Sequence, residues 1–337
     1  MEIQNKIPVY IITGFLGSGK TTFLNNLIKD ATYKRVVVIE NEIGKVNIDG
    51  AMIIDSVDDV IELTAGCLCC NLNEKLYSVL SGLVERKDEF DIIVIETTGI
   101  ADPAGVVETF WIDGFMERNF TVMSTICLAD AQNMRTSIEI TEEARRQIAF
   151  SDIVLLNKTD TAEVEELSSL TSLINDINPG VITYHGQFGK FPSDKILQYT
   201  ANSKVTVQNK IQALHKQYTH KHKGINTFTL TYDQPFDFNR LRHTLMLLIQ
   251  VNKNQIYRIK GFVDIPDMEN RILIQSVYQS FRVEEGSVWG ENETRQSKIV
   301  FIGNDVAKES IERMFKQCLL TQVANKPMQK APQMVFF

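Results

Sequence analysis

No run of apolar residues in this chain approaches the roughly 20 needed to cross a bilayer as a helix, so a helical membrane span is not expected. Met1 to Tyr10 has neither a charged-then-apolar region nor a small-residue cleavage site; no export signal is read there, and a cytoplasmic location is expected. Basic side chains are in deficit: 35 Lys and Arg face 42 Asp and Glu, the net charge is -7, and no long basic stripe offsets it locally. This argues against a nucleic-acid backbone as partner, while small anions can still bind at local sites. Internal repeats and low-complexity tracts are missing as well. A disulfide framework is not expected in a reducing compartment, and three of the five cysteines crowd into four positions, Cys67, Cys69 and Cys70, which reads as metal-binding or reactive thiols. Cys127 and Cys318 stand alone and read as buried fillers.

With 44% hydrophobic and 23% charged residues, the composition is that of a soluble globular protein, and 337 residues are more than one core usually organises. Apolar, β-branched runs recur at Val9 to Thr13, Val36 to Ile39, Ile92 to Ile95, Val122 to Leu128, Ile153 to Leu156 and Val181 to Tyr184. Helical stretches lie between most of them, at Thr21 to Asp30, Asn71 to Arg86, Glu142 to Phe150 and Ala162 to Ile177. This alternation predicts an α/β domain over residues 1 to 185, a doubly wound, mostly parallel sheet of the P-loop type. Residues 186 to 223 read as a polar, partly helical connection. Residues 224 to 323 then form a smaller α+β domain: a strand at Ile225 to Thr231, a helix at Phe238 to Val251, strands at Ile256 to Val263, Ile272 to Val283 and Ile299 to Ile302, and a helix from Asp305. Residues 324 to 337 are left as a tail without clear period.

Gly14-Phe15-Leu16-Gly17-Ser18-Gly19-Lys20-Thr21, followed by Thr22, is a Walker A pattern set between an apolar strand and a helix. Its chemistry requires backbone N–H groups that converge on phosphate oxygens, and Gly14, Gly17 and Gly19 supply dihedrals that a Cβ would obstruct. Lys20 is then the cation for the β- and γ-phosphates, and Thr21 offers a hydroxyl to magnesium. The strand Ile92 to Ile95 runs into Glu96-Thr97-Thr98-Gly99, placing a carboxylate at the carboxyl edge of the sheet, where ligands bind in open α/β folds. Glu96 takes the Walker B role toward magnesium through water, and the Gly99 N–H senses the γ-phosphate. After the strand Ile153 to Leu156 comes Asn157-Lys158-Thr159-Asp160, whose carboxylate accepts two hydrogen bonds from guanine but meets no such pair of donors on adenine. GTP is therefore expected over ATP.

Between these segments lies Gly66-Cys67-Leu68-Cys69-Cys70, just before a predicted helix whose N-terminus favours thiolates. Three soft ligands suit zinc, and in some settings cobalt, nickel or copper(I), with Glu42, water or a receiving protein as the fourth ligand. A buried turn with free thiols is the alternative.

Taken together, these motifs resemble the CobW-like, cobalamin-synthesis-protein type of GTPase, along nearly the whole chain. Glu40-Asn41-Glu42-Ile43-Gly44 carries the resemblance further, as do Arg258 to Phe262, Trp289 and Ser297 to Gly303. The resemblance implies a GTP-hydrolysing metallochaperone or metalloenzyme-assembly factor with zinc as the commonest cargo and a client metalloprotein as partner. Two departures stand out: Lys45 occupies a position often acidic in the family, and the histidine-rich interdomain loop of many members is reduced to His215, His220 and His222. A GTPase that activates its client by contact, with structural cysteines, is the alternative; a storage module with vestigial hydrolysis is a third reading, opposed by Lys20, Thr21, Glu96 and Asp160. Asp160→Asn is expected to weaken GTP binding and narrow the preference over ATP, since the amide sets its own donors against those of the base. Competition binding with the two nucleotides checks it, and an unchanged preference contradicts the guanine reading.

Overall fold

The structure, a computed structural model, describes residues 6–30, 35–40, 60–62, 72–99, 102–199, 219–222, 224–277, 279–290 and 293–320. Glu42, Cys67, Cys69, Cys70, His215 and the tail from 324 lie outside these residues. The chain divides into two compact units, Met1–Thr206 and Val207–Phe337.

In the first unit the described strands are β1 (Ile7–Gly14), β2 (Val36–Glu40), β3 (Val60–Glu62), β4 (Ile92–Glu96), β5 (Phe120–Asp130), β6 (Ile153–Asn157) and β7 (Ile182–His185). They form one sheet in the order β3-β2-β4-β1-β5-β6-β7, with every neighbouring pair parallel. The interior strands are buried along their length, which is why they read as continuous apolar runs rather than alternating ones. The described helices are α1 (Lys20–Asp30), α2 (Leu72–Glu85), α3 (Pro103–Ile112), α4 (Gly114–Asn119), α5 (Met134–Ile140), α6 (Glu142–Phe150), α7 (Val164–Ile177) and α8 (Ser193–Gln198). Phe23, Leu24, Leu27 and Ile28 make the buried stripe of α1 against Tyr10, Ile12, Val38, Val94, Ile126 and Leu155 of the strands. Local chemistry starts the helices: the Asp102 side chain accepts from Ala104 N ahead of Pro103, Asp113 accepts from Phe115 N and Met116 N, and Thr141 accepts from Ala144 N.

The expected connection from 186 to 223 is corrected at both ends. Phe191, Ile196, Leu197 and Tyr199 belong to the first core, and the Tyr10 hydroxyl donates to the Leu197 carbonyl, so residues 186–199 are part of the nucleotide-domain fold. Thr219–His222 form β8, paired antiparallel with the next strand.

The second unit is an antiparallel sheet of described strands β9 (Ile225–Tyr232), β10 (Ile256–Val263), β11 (Asn270–Val277), β12 (Ser280–Val288) and β13 (Ser297–Gly303), in the order β12-β11-β10-β13-β9-β8. The expected single strand Ile272 to Val283 is instead the hairpin β11–β12, in which Val277 pairs with Ser280. Helices α9 (Phe238–Val251) and α10 (Lys308–Lys316) cover one face, with Leu241, Leu245 and Leu248 of α9 and Ile311 and Phe315 of α10 in one core with Phe228, Ile259 and Phe301. Phe315 is wholly buried and meets Phe301 and Phe236 edge-on, at 5.5 and 6.3 Å between ring centroids. Phe315→Ala should therefore cost about 3–5 kcal/mol of stability in this unit. Urea unfolding followed by Trp289 fluorescence measures it, and a loss below about 1 kcal/mol would contradict the packing described.

Candidate functional site

The first strand delivers the phosphate loop to the middle of the sheet's carboxyl edge. Gly14 has φ 140° and Gly19 φ 98°, and each is also closed to a side chain: a Cβ would stand 2.2 Å from the Leu128 carbonyl oxygen at Gly14 and 2.4 Å from Asn157 Nδ2 at Gly19. Lys20 opens α1 and turns back over the loop, its Nζ donating to the Gly14 carbonyl at 2.8 Å and the Phe15 carbonyl at 3.3 Å. Burial holds this ammonium below the usual lysine range, against the opposing effects of Glu96 and Cys127. An anion in the loop would favour the charged form. The hydroxyls of Ser18, Thr97 and Thr98 are buried without a hydrogen-bond partner among the described residues. A glycine-lined cradle, a desolvated cation and orphaned hydroxyls together fit a phosphate group with a hydrated divalent cation.

Strand β4 sets the second group. Ile12 of β1 is in register with Glu96, and Thr97 N donates to the Ile12 carbonyl at 2.8 Å, so the Glu96 carboxylate position stands beside the start of the phosphate loop. Gly99 follows so closely on that loop that a Cβ would lie 2.8 Å from Leu16 N.

Strand β6 supplies the third group. Asn157 is 2% exposed; its Nδ2 donates to the Ser18 carbonyl at 2.9 Å, and its Oδ1 accepts from Gly189 N at 3.1 Å. Lys158 takes a left-handed conformation, φ 60°, and pairs with Asp130 at 2.9 Å. Burial pushes the Asp130 carboxyl up, but Lys158, Asn133 and the Gln132 N–H outweigh it, and the group lies below its ordinary range. Asp160 is exposed at the rim, with no hydrogen bond or ion pair to any of the described residues. Gly14 to Thr22, Glu96, Gly99, Asn157 and Lys158 thus gather at one sheet edge, with Asp160 beside them.

Several contributors escaped sequence reasoning. The loop after β7 places Gly189 against Thr22 and Phe23, accepts from Asn26 Nδ2 at the Phe188 carbonyl and receives two bonds from Thr159 at the Gly186 carbonyl. Its signal was the pair Gly186 and Gly189 just past a strand end. Asp130, Arg146 and Gln147 carry no motif; Arg146 pairs with Asp102 at 2.9 Å, and Gln147 Nε2 donates to the Gly99 carbonyl at 3.1 Å. Cys127 and Cys318 are buried as expected, and burial pushes the Cys127 thiol up to about 12, which keeps it protonated near pH 7. Among the described residues no group of three or more His, Cys, Asp and Glu is placed to hold a metal, and no helix is long and apolar enough to cross a membrane.

Comparison with known proteins covers both units. Residues 8–184 match the CobW/HypB/UreG nucleotide-binding domain, and residues 225–319 match the cobalamin synthesis protein cobW C-terminal domain. The zinc chaperone YjiA of Escherichia coli K12 is 30% identical over 319 residues, 93% of this chain and 98% of that one. The zinc-regulated GTPase metalloprotein activator 1 of Saccharomyces cerevisiae is 28% identical over 364 residues, 94% of this chain and 84% of the relative. The crystal structure of Zn(II)-bound YjiA GTPase from E. coli superposes with a TM-score of 0.72 at 26% identity, covering 94% of this chain and 99% of that one.

Removing the Asn157 amide would leave the Ser18 carbonyl and the Gly189 N–H buried and unpaired, at a cost of roughly 1–3 kcal/mol each. Asn157→Ala is therefore expected to weaken GTP and GDP binding alike by about 10- to 100-fold. Calorimetric titration with both nucleotides reads this out; a loss confined to GTP would contradict a role in shaping the loop.

Proposed function

The chain belongs to the CobW family, and from that membership we propose that it is a GTP-hydrolysing metallochaperone, with zinc as the preferred cargo and cobalt as the alternative, delivered to a client metalloprotein. The observation that carries the nucleotide half is the Asn157 bridge, which joins the phosphate loop to the base-side loop in one cradle. In that cradle the loop N–H groups and Lys20 bind the β- and γ-phosphates, while Asn157, Lys158 and Asp160 define the guanine end. Thr21 and Glu96 would hold the magnesium ion, which supplies neutralisation of phosphate charge when bound. Release of the γ-phosphate frees Gly99, which lies directly against Leu16 of the loop.

The cargo half rests on Cys67, Cys69 and Cys70, with Glu42 as the candidate fourth ligand. Topology supports its coupling to the nucleotide. Glu62, Glu40 and Glu96 are in register at the carboxyl ends of β3, β2 and β4, so the chain leaves for Glu42 and for the cysteines from the edge that holds Glu96. Names carried by the relatives, a zinc chaperone and a zinc-regulated metalloprotein activator, support zinc and a client.

Linkage requires GTP and metal to raise each other's affinity by the same factor if both favour one conformation; a factor of ten corresponds to about 1.4 kcal/mol. Zinc and cobalt titrations of the protein holding GDP or a non-hydrolysable GTP analogue are expected to differ by about that factor. Replacing Cys67, Cys69 and Cys70 together by Ser should abolish stoichiometric metal binding while leaving metal-free GTP affinity near wild type. Equal metal affinity in the two nucleotide states, or stoichiometric metal on the triple variant, would favour a GTPase that activates its client by contact alone.

A further inference from the structure

Two neighbouring residues of α6, Arg146 and Gln147, reach Asp102 and Gly99, two residues of the chain that follows β4. Gln147 is buried, and its Nε2 donates to the Gly99 carbonyl at 3.1 Å. Arg146 Nη1 lies 2.9 Å from Asp102 Oδ2, and its Nη2 lies 2.8 Å from Glu142 Oε1 of its own helix, so the guanidinium is fixed from two sides. Asp102 in turn caps α3. On its other side Gly99 abuts Leu16 of the phosphate loop, where a Cβ would stand 2.7 Å from Leu16 Cγ.

The helix that makes these contacts is itself well anchored. Arg145 donates to the Ile138 carbonyl at 2.7 Å, Ser151 Oγ donates to the Gln147 carbonyl at 2.6 Å, and Asn178 donates to the Ile148 and Ser151 carbonyls at 2.7 and 2.8 Å. It runs directly into β6, whose last residue is Asn157. One helix-strand unit therefore grips the γ-phosphate turn at Gly99 and Asp102 and the phosphate loop at Ser18. A cavity of about 330 Å³ lies beside these contacts, walled by Phe15, Leu16, Ala144 and Gln147.

We propose that Gln147 and Arg146 are positioning residues for GTP turnover, a two-point clamp that holds the backbone carrying the Gly99 N–H in place by fixing the Gly99 carbonyl at one point and Asp102 at the other. The proposal rests on the GTPase reading. The clamp's bonds fall on Gly99 and Asp102 and not on the loop N–H groups or Lys20, so ground-state binding is spared while the transition state loses an oriented donor.

Gln147→Met keeps length and burial but cannot donate. It should lower kcat about tenfold and leave KM and GDP affinity within about twofold. In Gln147→Glu the introduced carboxyl donates only when protonated, and burial raises the pH at which it is. Its kcat relative to wild type should therefore climb as pH falls from about 8 to about 6, a trend that altered packing alone would not produce. Asp102→Asn retains the helix cap but loses the charge facing Arg146, and should lower kcat about threefold with the same KM. Amide exchange across residues 99 to 104 in the nucleotide-free protein should quicken about tenfold in Gln147→Met, which decides the clamp independently of turnover. Wild-type kcat in both Gln147→Met and Asp102→Asn overturns the proposal, and so does a fall in GDP affinity equal to the fall in kcat. Absence of turnover in the wild type would sink the GTPase reading, and unchanged exchange in Gln147→Met would then refute the clamp as well.

Discussion

A loop whose N–H groups converge on a phosphate must turn its carbonyls outward, and every buried carbonyl needs a donor. The nucleotide domain depends on how that demand is met. Asn157 supplies the Ser18 carbonyl from β6, and Lys20 supplies Gly14 and Phe15 from inside the loop. The two solutions differ in kind. Asn157 is part of the frame, pinned on its other side by Gly189 N, whereas Lys20 makes bonds that a phosphate can replace. The loop therefore holds its shape from one side while the cation on the other exchanges carbonyls for ligand.

Electrostatics points the same way. Lys20 is desolvated, and of the two groups that raise its pKa, Cys127 has a thiol pushed up to about 12 and is neutral near pH 7. Glu96 is left as the charged partner of Lys20 among those two. The carboxylate suited to a divalent cation is thus already at work balancing the phosphate-binding lysine. Arrival of a polyanion with its cation replaces the opposition of one buried lysine and one half-buried carboxylate by a larger compensated set, which makes the site responsive to the whole nucleotide rather than to phosphate alone.

Much of this was legible in the sequence, because parallel strands buried on both faces read as unbroken apolar runs and because the motifs sit at their ends. Loop Gly186 to Lys190 was not: its composition is that of a linker, and its place is set by Asn26 and Asn157, both remote in sequence. Helix α3 is apolar nearly all round, with Val106, Val107 and Phe110 buried, so it has no 3.6-residue stripe to find. The hairpin β11–β12 was hidden because no Gly, Pro, Asn or Asp marks the reversal between Val277 and Ser280. Gln147 could not be read either, since its role depends on a carbonyl that only the fold brings near.

The same physics bears on the soft ligands that the proposed cargo ion would need. Burial pushes the Cys127 thiol up to about 12 and raises the Cys318 thiol, which disfavours the thiolate at both positions. Adjacent strands stand about 4.8 Å apart, which puts the end of β3 roughly 10 Å from Glu96 across β2. Cys67 is five steps along the chain from Glu62, a reach of at most about 17 Å, and Glu42 is two steps from Glu40, at most about 7 Å. Both segments leave from the same carboxyl edge, because every strand there is parallel. Chain length alone therefore bounds Glu42 to about 12 Å and Cys67 to about 27 Å from Glu96. Antiparallel pairing of β3 would have sent the chain after Glu62 toward the opposite edge, so the parallel register of three short strands is what starts that segment from the edge that holds Glu96.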